Sequence, residues 1–487
     1  MKTRTPRPPR RFDRNLIVIG AGSAGLVCAY LGAALKASVS LIEAGAMGGD
    51  CLNTGCVPSK ALIRTARFLA RARTAQELGI DRVDVTFDFA RVMERVQRVI
   101  RDVAPHDSIE RYSALGVDCV QGQAQITSPW SVDINGRSLS ARHLIVATGA
   151  RPAVPPLPGL EQAGYLTSDT VWGLRTLPRR LLVLGGGPIG CELAQCFARF
   201  GSRVTQVEMQ PRLLPQEDED VASLVRDRFV QEGIQVLTGF RATGVSQENG
   251  VKTLTGVRDG REFALQFDEL LVATGRQART RGFGLEELDV ALNADGTLAT
   301  NDRLQTSCPS IYACGDVCGP YQYTHAASHQ AWYATVNALF SPLRRFRVDY
   351  RVIPRATFTE PEVARVGLNE IEAHAHGIDY EVTRYGLEDL DRAIADGCAG
   401  GMVKVLTVPG RDQVLGASIV GEHAADLITE YITAMRHGLG MNRILQTLHI
   451  YPTLSEANRY AAGAWKRAHA PAGLLRLVQR YHRWRRG

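Results

Sequence analysis

Asn15 to Gly25 read NLIVIGAGSAG, and 165 positions later Arg180 to Gly190 read RLLVLGGGPIG. Each stretch is a short apolar run that feeds a glycine turn and then a helix. Gly20, Gly22 and Gly25, with Ser23 and Ala24 between them, permit a tight turn and close approach of a pyrophosphate, which rests on the helix N-terminus. Gly185, Gly187 and Gly190, with Pro188 and Ile189, repeat that pattern. In both copies the next strand ends in an acid: SVSLIE stops at Glu43 and RVTQVE at Glu208. The interval is 23 positions each time, 20 to 43 and 185 to 208. A carboxylate there can take ribose hydroxyls. A glycine turn without a ligand would not require the matching acid, so the chain reads as carrying two copies of one dinucleotide-binding unit.

Further strands return to these units. HLIVATGA at 143 to 150 and LLVATGRQAR at 270 to 279 each run from an apolar strand into Ala-Thr-Gly. RPAVPPLPGL between them is a proline-rich connector. SIYACGD ends at Gly315 and Asp316, where a carboxylate can bond a polyhydroxyl chain, and THAASHQAWYATVNALF after it reads as helix.

Gly48 to Lys60 read GGDCLNTGCVPSK. Cys51 and Cys56 are five apart, which in regular helix places their Cα atoms roughly 8 to 9 Å from each other, whereas a disulfide needs about 7 Å or less. The spacing therefore predicts irregular backbone over 52 to 55, with Gly55 left-handed, and a helix that starts near Pro58 and runs through SKALIRTARFLARA. Cys56 then lies at a helix N-terminus, where the dipole favours its thiolate. A redox-active pair is the reading that follows. A structural disulfide, half a zinc site and two buried thiols are the alternatives. No secretory signal opens the chain, and Cys28, Cys119, Cys191, Cys196, Cys308, Cys314, Cys318 and Cys398 lack metal-finger spacing and lie mostly in apolar runs. No resident metal is expected.

The 487 residues suggest about three domains, and 45% hydrophobic with 22% charged residues suits a globular chain. No apolar run reaches membrane-spanning length. The net charge of +7 sits largely at the two ends, which argues against a nucleic-acid surface. Residues 1–14 read as a basic disordered arm, and a cytoplasmic location is expected. The tail, 466–487, reads as an amphipathic helix with Leu474, Leu477, Val478, Tyr481 and Trp484 on one face and Arg476, Arg480, Arg483, Arg485 and Arg486 on the rest. Docking on its own dimer or a peripheral membrane contact are its two candidate roles.

The ordered motifs GAGSAG with Glu43, CLNTGCVPSK, ATGA, GGGPIG with Glu208, YACGD and HIYPTLSE at 449 to 456 resemble the class I pyridine nucleotide-disulfide oxidoreductases, the family of glutathione reductase, dihydrolipoamide dehydrogenase and mercuric reductase. The resemblance implies an α/β fold with two Rossmann-like domains and a C-terminal α+β dimerisation domain. FAD would occupy 15–150 and 275–345, NAD(P) 151–274, and the interface 350–465. By resemblance Gly20, Gly22, Ser23, Ala24, Gly25, Glu43, Lys60, Ala124, Thr148, Gly149, Gly315 and Asp316 would hold FAD. The nicotinamide nucleotide would fall to Gly185, Gly187, Pro188, Ile189, Gly190 and Glu208, and Gly275 and Arg276 would be further cofactor contacts. NADH is expected over NADPH, because Glu208 would repel a 2′-phosphate. Cys56 would be the thiol nearest the flavin, Cys51 the one that meets the substrate, and Lys60 and Glu192 a pair beside the flavin. A homodimer with shared sites follows, each completed by HIYPTLSE, with Glu456, of the other chain.

One position departs from the thiol-oxidising members of the family. Their catalytic histidine immediately precedes the motif proline, where this chain has Tyr451; His449 lies two residues earlier. Tyrosine, with an ordinary pKa near 10, is a poor base at pH 7. Tyr451 and the wording of the cysteine motif are similar to the mercuric reductases, but the tail lacks their vicinal cysteine pair. The sequence therefore suggests an FAD-dependent, NAD(P)H-linked disulfide oxidoreductase of the mercuric-reductase-like branch, delivering electrons to a metal ion or another small acceptor. The alternatives are a dihydrolipoamide dehydrogenase using His449 and a flavoprotein redox sensor without a substrate of its own.

Overall fold

The computed structural model describes residues 8–341 and 343–487, so half of the basic arm, 1–7, lies outside the described residues. Order begins before Asn15. The first strand spans Arg14–Ile19, and the Asp13 carboxylate accepts hydrogen bonds from the Ser140 backbone N–H at 2.9 Å and hydroxyl at 2.7 Å. The chain divides into two compact units, Met1–Arg73 with Val83–Val207 and Phe240–Asp349, and Thr74–Arg82 with Glu208–Gly239 and Tyr350–Gly487.

Within the first unit, apolar strands stack side by side because both faces of a parallel sheet are covered. Arg14–Ile19 lies between Val39–Glu43 and Arg137–Val146; Asp118–Gln121 flanks the former and Ile311–Ala313 the latter, all in parallel. Leu16, Ile17, Val18, Leu144, Ile145 and Val146 are fully buried. The helix Ser23–Ala34 follows the first turn so closely that a Cβ on Gly25 would stand 1.8 Å from the Gly20 carbonyl oxygen. Gly20 itself has φ of 101°, open only to glycine at ordinary cost. The second sheet repeats the plan. Arg180–Leu184 lies in parallel between Arg203–Glu208 and Glu269–Val272, the helix Pro188–Phe200 follows the turn, and a Cβ on Gly190 would come 2.3 Å from the Gly185 oxygen. Two Rossmann-like units are thus present.

The second unit is α+β. Its antiparallel sheet runs in the order Pro354–Thr357, Glu362–Gly367, Val414–Gly421, Met402–Thr407, Glu381–Gly386, with helices Thr429–Arg436, Met441–Gln446 and Glu456–Ala468 contributing to one apolar core. Ion pairs are buried here. Lys404, wholly buried, places Nζ 2.7 Å from Asp218, 2.8 Å from Asp220 and 2.5 Å from Glu370. Those three carboxylates are close enough together to hold a cation, and the lysine ammonium is that cation. Arg365, equally buried, meets Glu217 and Glu372 at 2.8 Å each. Beyond Pro471 the chain forms the helix Ala472–Arg486. Among the described residues no helix is long and apolar enough to cross a membrane.

Candidate active site

The cysteine segment is seated on the first glycine turn. Gly48 N–H donates to the Ala21 carbonyl at 2.9 Å, and a Cβ on Gly49 would come 2.6 Å from the Gly22 Cα. The backbone differs from the sequence expectation. A short helix, Gly49–Asn53, carries Cys51, the break is confined to Thr54 and Gly55, and the long helix Cys56–Arg73 starts at the second cysteine itself. Gly48 and Gly49, with φ of 88° and 58°, take the left-handed conformation, whereas Gly55 does not. Glycine at 55 serves close approach instead, since a Cβ there would meet the Asp50 carbonyl oxygen at 2.9 Å.

Cys51 and Cys56 are both free thiols and hydrogen-bond to one another. The shared hydrogen bond splits their acidities. It pulls Cys56 down to about 6, against a desolvation that pushes up, with help from the Thr324 hydroxyl at 3.4 Å and the Lys60 ammonium. The same bond, with burial, drives Cys51 well up. The arrangement favours a thiolate on Cys56 and a thiol on Cys51. Thr324, the first residue of the helix Thr324–Phe340, escaped the sequence reading because a threonine opening a helix carries no motif. Lys60 Nζ lies 2.9 Å from Glu192, a carboxylate 7% exposed on the helix Pro188–Phe200. The structure brings these two expected partners together.

The nucleotide turns fit adenine dinucleotides. Gly22 caps the helix Ser23–Ala34 without a side-chain hydrogen bond, and Gly187 does the same for Pro188–Phe200, an arrangement in which first-turn N–H groups can take an anion. At the end of its strand the Glu43 carboxylate accepts from Ala21 N at 2.6 Å and Gly45 N at 2.7 Å, and Glu208 accepts from Gln210 N at 2.7 Å. A Cβ added at Gly149, Gly187 or Gly275 would meet only open space. Ile189 is partly exposed on the first turn of its helix. Ala124 is buried in the strand Ala124–Ser128, so only its main chain could face a ligand. The Thr148 hydroxyl donates to the Arg279 carbonyl at 2.7 Å, and Gly315 N–H donates to Gln330 Oε1 at 2.7 Å. Arg276, read from sequence as a nucleotide contact, is engaged inside the protein: its guanidinium pairs with Asp50 and lies 3.4 Å from Asp316. Burial raises the Asp316 carboxyl and Arg276 opposes that rise.

The C-terminal motif assigns its two candidate bases different surroundings. His449 has a side chain 6% exposed with both ring nitrogens engaged: Nδ1 lies 3.0 Å from the Thr447 carbonyl and Nε2 3.1 Å from both Glu430 oxygens. Asn458 Nδ2 donates to the same Glu430 at 3.0 Å and fixes it. Tyr451 is exposed, and its hydroxyl donates to Asp391 Oδ2 at 3.0 Å, a bond that raises the phenol pKa further. Glu456 is buried and accepts from the Thr453 N–H.

Residues 14–331 match the profile of the pyridine nucleotide-disulphide oxidoreductases, and residues 353–462 that of their dimerisation domain. A mercuric reductase from Lysinibacillus sphaericus is 32% identical over 448 residues, 92% of this chain and 82% of the relative. A dihydrolipoyl dehydrogenase from Chlamydia pneumoniae is 33% identical over 460 residues, 93% of this chain and 96% of its own. Among solved structures, a Cu(II) complex of the HOCl-induced flavoprotein disulfide reductase RclA from Escherichia coli superposes with a TM-score of 0.81 at 27% identity, covering 91% of this chain and 98% of that one.

Proposed function

The chain belongs to the pyridine nucleotide-disulphide oxidoreductase family, and from that premise we propose that it reduces a thiophilic metal ion with electrons from NADH. The family is FAD-dependent and uses a pyridine nucleotide, and its dimerisation domain supports a homodimer. FAD bound at the first glycine turn supplies two-electron exchange between dihydronicotinamide and the cysteine pair. The chain's own residues do the rest. Cys56 carries the thiolate, Lys60 and Thr324 hold its charge, and Cys51 presents the sulfur that takes up the acceptor. In each turnover NADH leaves as NAD+, one proton goes to solvent, and two electrons reduce one ion by two or two ions by one. Tyr451 of one chain would complete the site of the other.

The observation that carries this reading is the missing base. A dithiol substrate must lose protons to a group that titrates near neutrality. His449 is committed at both nitrogens and Tyr451 is held protonated by Asp391. A soft metal ion needs no such base, and thiolates are its preferred ligands. The names of the relatives divide between mercuric reductase and dihydrolipoyl dehydrogenase, so the second reading is lipoamide chemistry through His449. The purified holoenzyme, given NADH with Hg(II), Cu(II), lipoamide, glutathione disulfide or a quinone in turn, separates them. Sustained turnover on a metal ion, little changed in His449→Ala and impaired in Tyr451→Phe, is expected. A roughly 10²-fold loss of lipoamide turnover in His449→Ala, the scale for losing a general base, would place the protein with the dehydrogenases instead. A single oxidation without turnover would point to a sensor.

NADH should be preferred over NADPH. Glu208 closes its strand where a 2′-phosphate would lie, and Arg212, the nearest cation in sequence, is paired with Glu219 at 3.4 Å. Comparing kcat/KM for the two nucleotides checks this. Glu208→Ala should narrow the gap by about 1 to 3 kcal/mol, the scale of a charge-assisted hydrogen bond; a wild-type preference for NADPH overturns the assignment.

A further inference from the structure

The helix Ala472–Arg486 lies beyond the last residue that the family's dimerisation domain accounts for, 462. The helix before it, Glu456–Ala468, is anchored: Trp465 is buried, Lys466 Nζ donates to Asn442 Oδ1 at 2.9 Å, and His469 meets Glu381 at 2.7 Å. After Pro471 no residue is buried. Leu477 is 62% and Trp484 76% exposed, which is unusual for large apolar side chains on a regular helix. At 100° per residue, Leu474, Leu477, Val478, Tyr481 and Trp484 fall within an arc of about 120°. Arg476, Arg480, Arg483 and Arg486 occupy the opposite side, and Arg485, in the last turn, is long enough to lift its charge clear of the apolar face.

The charge is as lopsided as the apolar face. From Lys466 to Gly487 there are seven Lys and Arg and no acid, which equals the net charge of the whole chain, +7. The remaining residues hold 50 Lys and Arg against 50 Asp and Glu. Residues 15–465 hold 44 Lys and Arg against 49 Asp and Glu, so a second copy of this chain offers only a small acidic excess and brings a tail of the same sign as well.

We propose that Ala472–Arg486 seats the enzyme on an anionic lipid bilayer. An acidic headgroup layer supplies the counter-charge for the arginines and the acyl boundary takes Leu474, Leu477, Val478, Tyr481 and Trp484, the arrangement of an interfacial helix. The inference rests on the tail alone and stands whatever the acceptor.

Co-sedimentation of the full-length holoenzyme with phosphatidylglycerol-containing vesicles and with pure phosphatidylcholine vesicles tests it. Three variants run beside it: a chain ending at Ala470, the charge reversal Arg476→Glu/Arg480→Glu/Arg483→Glu, and the apolar-face pair Leu477→Ser/Trp484→Ser. Solution mass and NADH oxidation are measured for all. The full chain should bind the anionic vesicles about tenfold or more better than the neutral ones, lose that binding at high salt, and shift the Trp484 emission to the blue. The variants should lose it and keep mass and turnover. Equal binding by the truncated chain, or no binding by the full chain, overturns the proposal. A smaller solution mass on truncation assigns the helix to a second copy and overturns it as well.

Discussion

Cys56→Ser is expected to lose acceptor reduction by roughly 10³-fold or more, the scale on which removing a reacting nucleophile acts, while still purifying yellow. Cys51→Ser should lose turnover to a similar extent, yet the two variants should not look alike. Cys56 is the residue whose thiolate is stabilised, first by the Cys51 hydrogen bond and then by Thr324 and Lys60. Cys51→Ser should therefore hold a permanent thiolate and show long-wavelength absorbance without added reductant, and Cys56→Ser should show none. In the reduced wild-type enzyme that absorbance belongs to the deprotonated form, so it should be full well above about pH 6 and fade as pH falls through that value. Cys51→Ala, which removes the leading stabiliser, should move the midpoint upward. Identical spectra for both serine variants would sink the assignment of roles within the pair.

The second large effect is on stability. Lys404→Met should destabilise the α+β unit by about 3 to 5 kcal/mol, because it takes the ammonium from the buried Asp218 and leaves Asp220 and Glu370 with Arg384 alone. Asp218 and Glu370 lose the ammonium at 2.7 and 2.5 Å, and Asp220 loses it at 2.8 Å. Burial alone would raise the Asp220 carboxyl; the hydrogen bonds and charges of Lys404 and Arg384 together outweigh it and hold the group below its ordinary value. A depressed carboxylate contributes stability above its unfolded pKa and loses it as pH falls through the folded one. The wild-type chain should thus weaken in acid below about pH 4. In Lys404→Met only Arg384 is left to oppose burial at this group, so its depression should shrink and the urea midpoint should fall less on acidification. Urea unfolding at neutral and acid pH measures both, and a midpoint at neutral pH equal to wild type would refute the role given to Lys404.

What was legible in the sequence was local. Gly20 to Gly25 and Gly185 to Gly190 announce strand, turn and helix because each glycine answers a constraint set within a few residues, such as the 1.8 Å approach at Gly25. Lys60 and Glu192 could be named together only through the family resemblance, since 132 positions separate them. The commitment of His449 was not legible, because Glu430 and Asn458, on the two helices Thr429–Arg436 and Glu456–Ala468, hold it from 19 residues before and 9 after. Nor was the engagement of Arg276 by Asp50, 226 positions away, for which no spacing rule exists. The cysteine backbone was misread in detail: a disulfide-length argument forbids helix across the pair, and the chain satisfies it with a two-residue break rather than a four-residue one.

The parallel pairing of Ile311–Ala313 on Leu144–Val146 sets an order on biosynthesis. The central strand emerges from the ribosome with one edge bare and waits for a partner 167 residues away. At about 5 to 20 residues per second that wait is roughly 10 to 30 s. Strands 180 to 272 of the second sheet are all translated within it, so the inserted half can close first, around an unfinished host. During that interval Leu144, Ile145 and Val146 form an open, apolar strand edge of the kind that recruits other chains. Heat or slow translation should act on this chain there, on nascent rather than finished molecules.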